Sequence, residues 1–306
     1  MSTSKRHFAA TSNSCSIDEG NTLTMPSPTL TWRWAGPVTY PAAPLSYLAT
    51  PLALICGTLS AGPRLGIGFA ARLALALLLV GPLWGSIWWA IVETDWRRAL
   101  QGPKRRPADP PVLPYTVRGS LAHNLSVRWA QVVAQWRTRS GRVKANVATV
   151  ALGTLFALSL SWHLGPPLVW LTLALVGLAV ICEAMGERRQ IAVAGTFLLT
   201  WWAGFAAFGG RNPASLVASL LYALSMWAIS WPEAPGWLRA LPQALAVALL
   251  VAIRVPLAAL VVGLLLPPQL LWEPVRQGDA GVGDYAARVQ GYLALSMVVA
   301  ALAVAG

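Results

Sequence analysis

Leu65 to Val92, LGIGFAARLALALLLVGPLWGSIWWAIV, carries a single charge, Arg72, and runs directly into Glu93-Thr94-Asp95-Trp96-Arg97-Arg98. A helix needs about 20 mostly apolar residues to cross the ~30 Å hydrocarbon core of a bilayer. This stretch has that length to spare. It lacks the alternation of a barrel strand, so the helix is the structure that pairs its backbone N–H and C=O groups in lipid.

Seven further runs meet or approach the same length: Leu45–Ala61, Ala145–Trp162, Pro166–Cys182, Ile191–Gly209, Ala214–Trp231, Leu241–Leu266 and Val289–Ala305. The run at Leu241–Leu266 contains Arg254 and Pro256, and reads either as one tilted helix or as two short ones meeting inside the membrane. The expected fold is all-α: a polytopic transmembrane bundle of about eight to nine spans. Composition agrees, because 56% of the 306 residues are hydrophobic and 11% charged, against about 25% charged in soluble domains. Residues 1–43 are rich in Ser, Thr and Pro and lack the apolar core of a signal peptide. They read as a disordered cytoplasmic tail ahead of one membrane domain at 44–306.

The net charge is +12, and 11 of the 23 Lys and Arg residues fall between Arg97 and Lys144. Positive loops stay cytoplasmic. The 93–144 loop and the N-terminus are therefore expected inside, with the loops at 183–190 and 232–240 on the same side, in a bacterial inner membrane. A basic loop also suits nucleic acid, but the orientation rule already accounts for this charge, and no nucleic-acid partner is expected. Within the loop, Leu121–Trp136 mixes apolar and basic residues at helical spacing, the pattern of an amphipathic helix in the membrane interface.

Cys15, Cys56 and Cys182 are too scattered for a disulfide framework or a CxxC metal site. There is no Walker A loop, no HExxH and no GxSxG. His163 closes a run as a lone histidine, a position open to an axial haem or chlorophyll ligand and equally to an ordinary interface residue. Of the 16 tryptophans, Trp162, Trp201, Trp202, Trp231 and Trp272 sit at run ends, where an aromatic belt is expected. Trp84, Trp88 and Trp89 read either as belt or as the floor of a pocket for a flat apolar ligand.

At the end of the second run, Glu93 and Asp95 precede Arg97 and Arg98, and Lys104-Arg105-Arg106-Pro107 follows one short loop later. Carboxylates hold Mg²⁺, and arginine forks bind phosphate oxygens. The plainer account is a charge cluster that fixes topology and touches anionic lipid.

The order of features resembles the UbiA-type intramembrane prenyltransferases. That family has an N-D-x-x-D-x-x-x-D motif in the loop after its second helix, Arg-Pro a few residues on, and a second acidic motif after its sixth. Here Trp231–Ala240, four spans after the basic loop, holds Glu233 and Arg239. Tyr285 to Leu293, with Arg288 and Gln290, is similar to the family's entry into its last helix. With Arg106-Pro107 as anchor, Asp95 falls on the motif's second aspartate. Ile91, Val92 and Ala99 stand at the other motif positions, and Glu93 lies beside the first aspartate's place.

The resemblance implies a prenyl group moved from a diphosphate to an aromatic or tetrapyrrole-like acceptor. It implies a lipid-open apolar cavity and a cytoplasmic mouth. Asp95, Glu93 and Glu233 would hold Mg²⁺. Arg98, Arg105, Arg106 and Arg239 would neutralise the departing diphosphate, and Trp88 and Trp89 would face the prenyl cation or the acceptor ring. Two other readings remain open. One is a non-catalytic subunit of a larger membrane complex, holding lipid, quinone or pigment. The other is a transporter, for which Arg254 beside Pro256 inside a span is the support.

Overall fold

A computed structural model describes residues 46–63, 66–92, 94, 96, 120–138, 141–185, 189–231, 234–271 and 281–306. Every regular element among them is helical. In chain order these are α1 (Ser46–Ser60), α2 (Ile67–Val92), α3 (Leu121–Thr138), α4 (Gly141–Leu164), α5 (Pro166–Met185), α6 (Arg189–Ala207), α7 (Pro213–Ser230), α8 (Gly236–Ala252), α9 (Pro256–Leu264), α10 (Leu266–Leu271) and α11 (Gly281–Ala305). Six of them, α2, α4, α5, α6, α7 and α11, are long and apolar enough to cross a membrane; α1, α8 and the α9–α10 pair are apolar but shorter. The protein is an integral membrane protein. The predicted tail at 1–43 lies outside the described residues.

The opening stretch forms one helix with a wide turn in it. Pro82 has no N–H to give to the preceding turn, and Leu79–Leu83 takes up the mismatch as a π-helical turn within α2. The Leu241–Leu266 run resolves into two helices, α8 and α9. Between them Arg254 adopts φ 64°. Its N–H bonds to Val251 O at 2.9 Å and that of Val255 to Leu250 O at 3.0 Å, the two-bond Schellman arrangement that closes a helix. The same closure follows α6, where Gly209 at φ 70° supplies the left-handed residue without a Cβ.

In lipid, apolar burial gives helices little reason to associate, so close approach and interhelical hydrogen bonds must hold them. Close approach occurs between α1 and α6, and side-chain hydrogen bonds join other helix pairs. Ala53, Cys56, Gly57 and Ser60 line one buried face of α1. A Cβ on Gly57 would overlap the Trp201 carbonyl, and one on Gly204 would overlap that of Leu54. The two backbones therefore touch.

Two cores flank this crossing. One packs Trp84, Ile87 and Trp88 of α2 against Leu168 and Leu175 of α5 and Ala203 of α6. The other packs Trp201 of α6 against Tyr222 of α7, Leu250 of α8, Val262 of α9 and Met297 of α11. Side-chain bonds tie the helices together. Ser60 meets Ser215 at 2.6 Å, and the Trp201 indole donates to Ser215 at 3.3 Å. Tyr222 Oη lies 2.7 Å from Ser296 Oγ, and the Trp84 indole donates to Thr172 at 3.2 Å.

These bonds also fix the ends of the bundle. Asn212 Nδ2 donates to Val304 O at 2.6 Å. With the Ser60–Ser215 contact, this gathers the C-termini of α1 and α11 and the N-terminus of α7 at one end, called here the far end. The junction of α2 with α4 lies at the opposite, loop end. The short connections from α4 to α7 alternate between the two ends, which returns the α7–α8 connection to the loop end.

Candidate functional site

The C-terminus of α2 is closed by side chains from just beyond it. Thr94 Oγ1 donates to Ala90 O at 2.7 Å, and the Trp96 indole donates to Ile91 O at 2.7 Å. Asn146 of α4 then donates its amide to Thr94 Oγ1 at 2.6 Å. Thr94 is buried at 5% exposure, so the residue between Glu93 and Asp95 in sequence is pinned to two helices. Sequence reasoning passed over Thr94 and Asn146. The signal available was a hydroxyl residue at a helix end, where it competes for the last carbonyls.

Glu93, Asp95, Arg98, Arg105, Arg106 and Glu233 lie outside the described residues. Trp88, at 3% exposure, is a core residue beside Ile87 and Trp84, and Trp89 is half-buried. Trp84 and Trp88 thus lie in the core rather than in a lipid-facing belt. Trp201 also departs from the belt expectation: it is fully buried, stacked on Tyr222 with ring centroids 6.2 Å apart. Trp162 is exposed as expected, and so is His163 at the end of α4. A run-end position does not say which way an indole points, and at Trp201 the crossing with α1 and α7 decides it.

Arg239, on the first turns of α8, is buried at 4% exposure. Its guanidinium donates to Ala228 O at 3.2 Å, Trp231 O at 3.3 Å and Ala234 O at 2.6 Å. It gathers the last carbonyls of α7 and the turn after them, as basic side chains do at helix C-termini. One turn further along α8, Gln243 donates to Gln269 Oε1 of α10 at 2.7 Å, and Gln269 donates to Leu265 O at 2.9 Å. The Oε1 atoms of Gln243 and of Gln290, on α11, are buried with no hydrogen-bond partner. These three helices pack on one another, so this corner offers acceptor oxygens to a donor such as water or a hydroxyl.

Among the described residues no three His, Cys, Asp or Glu side chains come together to hold a metal ion. The one carboxylate whose side chain is described is Glu183, half-buried near the end of α5. Glu93, Asp95 and Glu233, the carboxylates read as metal ligands from the sequence, lie outside the described residues.

A groove of about 430 Å³ opens between α5, α6 and the start of α7, walled by Pro166, Trp170, Trp202, Phe205, Ala206 and Leu216. The Trp202 indole is satisfied by Ser219 at 2.9 Å, leaving the lining apolar. Pro166 opens α5 and Ala206 nearly closes α6, so the groove lies toward the far end, across the bundle from Thr94 at the loop end. No family model, no curated protein and no solved structure matches this chain.

Proposed function

We propose that the chain is a divergent UbiA-type membrane prenyltransferase, moving a prenyl group from its diphosphate to an aromatic or tetrapyrrole-like acceptor. One positional observation carries the reading. The ends of α2 and α7, marked by Thr94 and Trp231, both lie at the loop end, and in sequence these ends adjoin Glu93, Asp95, Arg98, Arg105 and Arg106 on one side and Glu233 on the other. That end faces the cytoplasm of a bacterial inner membrane, by the sign of its charge. The arginines stabilise the diphosphate as its bond to the prenyl carbon breaks, because fixed positive charge favours a developing anion. The acceptor forms the new bond to that carbon and loses a proton. Mg²⁺, when bound, would offset diphosphate charge. Arg239 acts by holding the α7–α8 turn in shape.

The test uses the full chain in lipid nanodiscs with Mg²⁺ and prenyl diphosphates of several lengths. The expected result is a diphosphate-dependent rise in thermal stability and release of diphosphate when an acceptor is added. Asp95→Asn and Arg106→Gln should abolish release without lowering the unliganded melting temperature. Arg239→Ala should lower it, by about 3 kcal/mol of stability, since each hydrogen bond to a charged group contributes about 1.5–3 kcal/mol. No turnover together with no thermal shift removes the enzyme claim.

The apolar groove favours a second reading, a non-catalytic subunit that holds a lipid, quinone or pigment within a larger membrane complex. Mass spectrometry of what co-purifies with the protein separates the two. A tightly held apolar molecule, lost on Ala206→Trp, without prenyl transfer, supports the second. For the transport reading, the helix break at Pro256 is present, and Arg254 lies exposed in the turn between α8 and α9.

A further inference from the structure

Helix α3 makes few contacts with the described bundle. It is 18 residues long, yet none of the other described helices packs extensively on it. Its large apolar side chains are strongly exposed: Leu121 at 83%, Leu125 at 64%, Trp129 at 70% and Trp136 at 40%. At about 100° per residue these four fall within one arc of roughly 80°, a single stripe along the helix. Arg128 is exposed at the edge of that stripe, placed to lay its methylenes along it and extend its guanidinium past it. Asn124 is exposed on the same flank as Arg128, about 100° from the centre of the stripe.

Two further facts limit what covers the stripe. First, α3 ends at Thr138 and α4 begins at Gly141, and the membrane-crossing part of α4 starts at Val143. The C-terminal end of α3 is thus tethered within a few residues of the bilayer. Second, the segment from Arg97 to Lys144 holds 11 basic residues and one acidic residue, Asp109. An apolar stripe beside a strongly cationic segment, held at the membrane surface, is complementary to apolar chains beneath anionic head groups.

We propose that α3 is an interfacial helix that lies on the anionic surface of the protein's own membrane, with Leu121, Leu125, Trp129 and Trp136 in the acyl region and Arg128 at the phosphates. The inference does not depend on prenyl transfer. It sets the height of the whole basic segment, because the chain enters α3 from residues 97–119 and leaves it into α4.

The test places spin labels on the full-length chain through Leu125→Cys, Trp129→Cys and, as the polar-side control, Asn124→Cys, with Cys15 and Cys182 replaced by serine. The protein is reconstituted in nanodiscs of phosphatidylcholine alone or with phosphatidylglycerol. With phosphatidylglycerol, labels at 125 and 129 should be reached by oxygen and shielded from a water-soluble nickel complex, and the label at 124 should show the reverse. Shielding should weaken in phosphatidylcholine alone and at high salt, and Arg128→Gln should reduce that dependence. Labels at 125 and 129 as open to nickel as the label at 124 overturn the proposal. Labels closed to both probes mean a protein surface covers the stripe, and also overturn it. Shielding identical in the two lipids overturns the anionic requirement.

Discussion

Gly204 sets how closely α6 approaches α1. A Cβ there would run into the Leu54 carbonyl and lie 2.9 Å from Thr58 N, and backbone atoms cannot move aside as a side chain can. Gly195, on the same helix, is a built-in control. Its Cβ would meet Leu178 Cδ2 at 2.6 Å, the tip of a flexible side chain. Overpacking a tight contact costs about 1–3 kcal/mol or more. Gly204→Ala should therefore lower the unfolding midpoint in a detergent titration clearly more than Gly195→Ala; equal effects would mean that the helices do not touch. Residue-level expectations fared according to what decides them. Trp162 faces outward because it ends a helix at the surface, whereas Trp201 was read from position alone and is buried by partners on other helices.

The helix ends show how one residue shapes an element. Arg254 and Gly209 hold equivalent left-handed positions after α8 and α6. Only glycine adopts that conformation without steric cost, about 1 kcal/mol for other residues. Arg254→Gly should raise stability by up to about 1 kcal/mol, measured as a higher thermal midpoint, with the fold unchanged. A fall instead would mean that the side chain makes a contact worth more than the strain. The break at Arg254-Val255-Pro256 was visible in the sequence as a charge and a proline inside a long apolar run. What the run left open was one helix or two, and the paired backbone bonds of the turn close α8 before α9 begins. The π-turn around Pro82 is similar: the proline announces a missing bond, but whether the helix kinks or widens depends on its neighbours.

At the scale of the molecule, the interhelical bonds assign the ends of α1, α2, α4, α7 and α11 to one side of the bundle or the other. On the proposed reading, charge puts the loop end inside. Asn124→Cys and Arg211→Cys, both at exposed positions, report the two ends. In intact cells of a bacterial host, a membrane-impermeant maleimide should modify the cysteine at 211 at once and the one at 124 only after permeabilisation. The opposite pattern would invert the topology and move the acidic and basic segment after α2 to the outside. The same end-to-end map puts the described apolar groove at the far end and Thr94 at the loop end, a separation that no linear reading of the chain reveals.

By itself the sequence determined the membrane class, the helical backbone and the position of the six helices long and apolar enough to cross, because in lipid the backbone must pair within its own segment and apolar length alone measures a crossing. It also marked the basic segment and its amphipathic stretch, since charge and helical spacing are local properties. Only the tertiary structure decided that α1 and α6 meet at Gly57 and Gly204, that Trp88 and Trp201 are core, that Arg239 is engaged with the carbonyls of the α7–α8 turn, and that Thr94 and Asn146 pin the end of α2. All but one of these depend on a partner far away in the chain, and Arg239 on the turn just before its own helix; in each case the direction of the side chain is set by that partner.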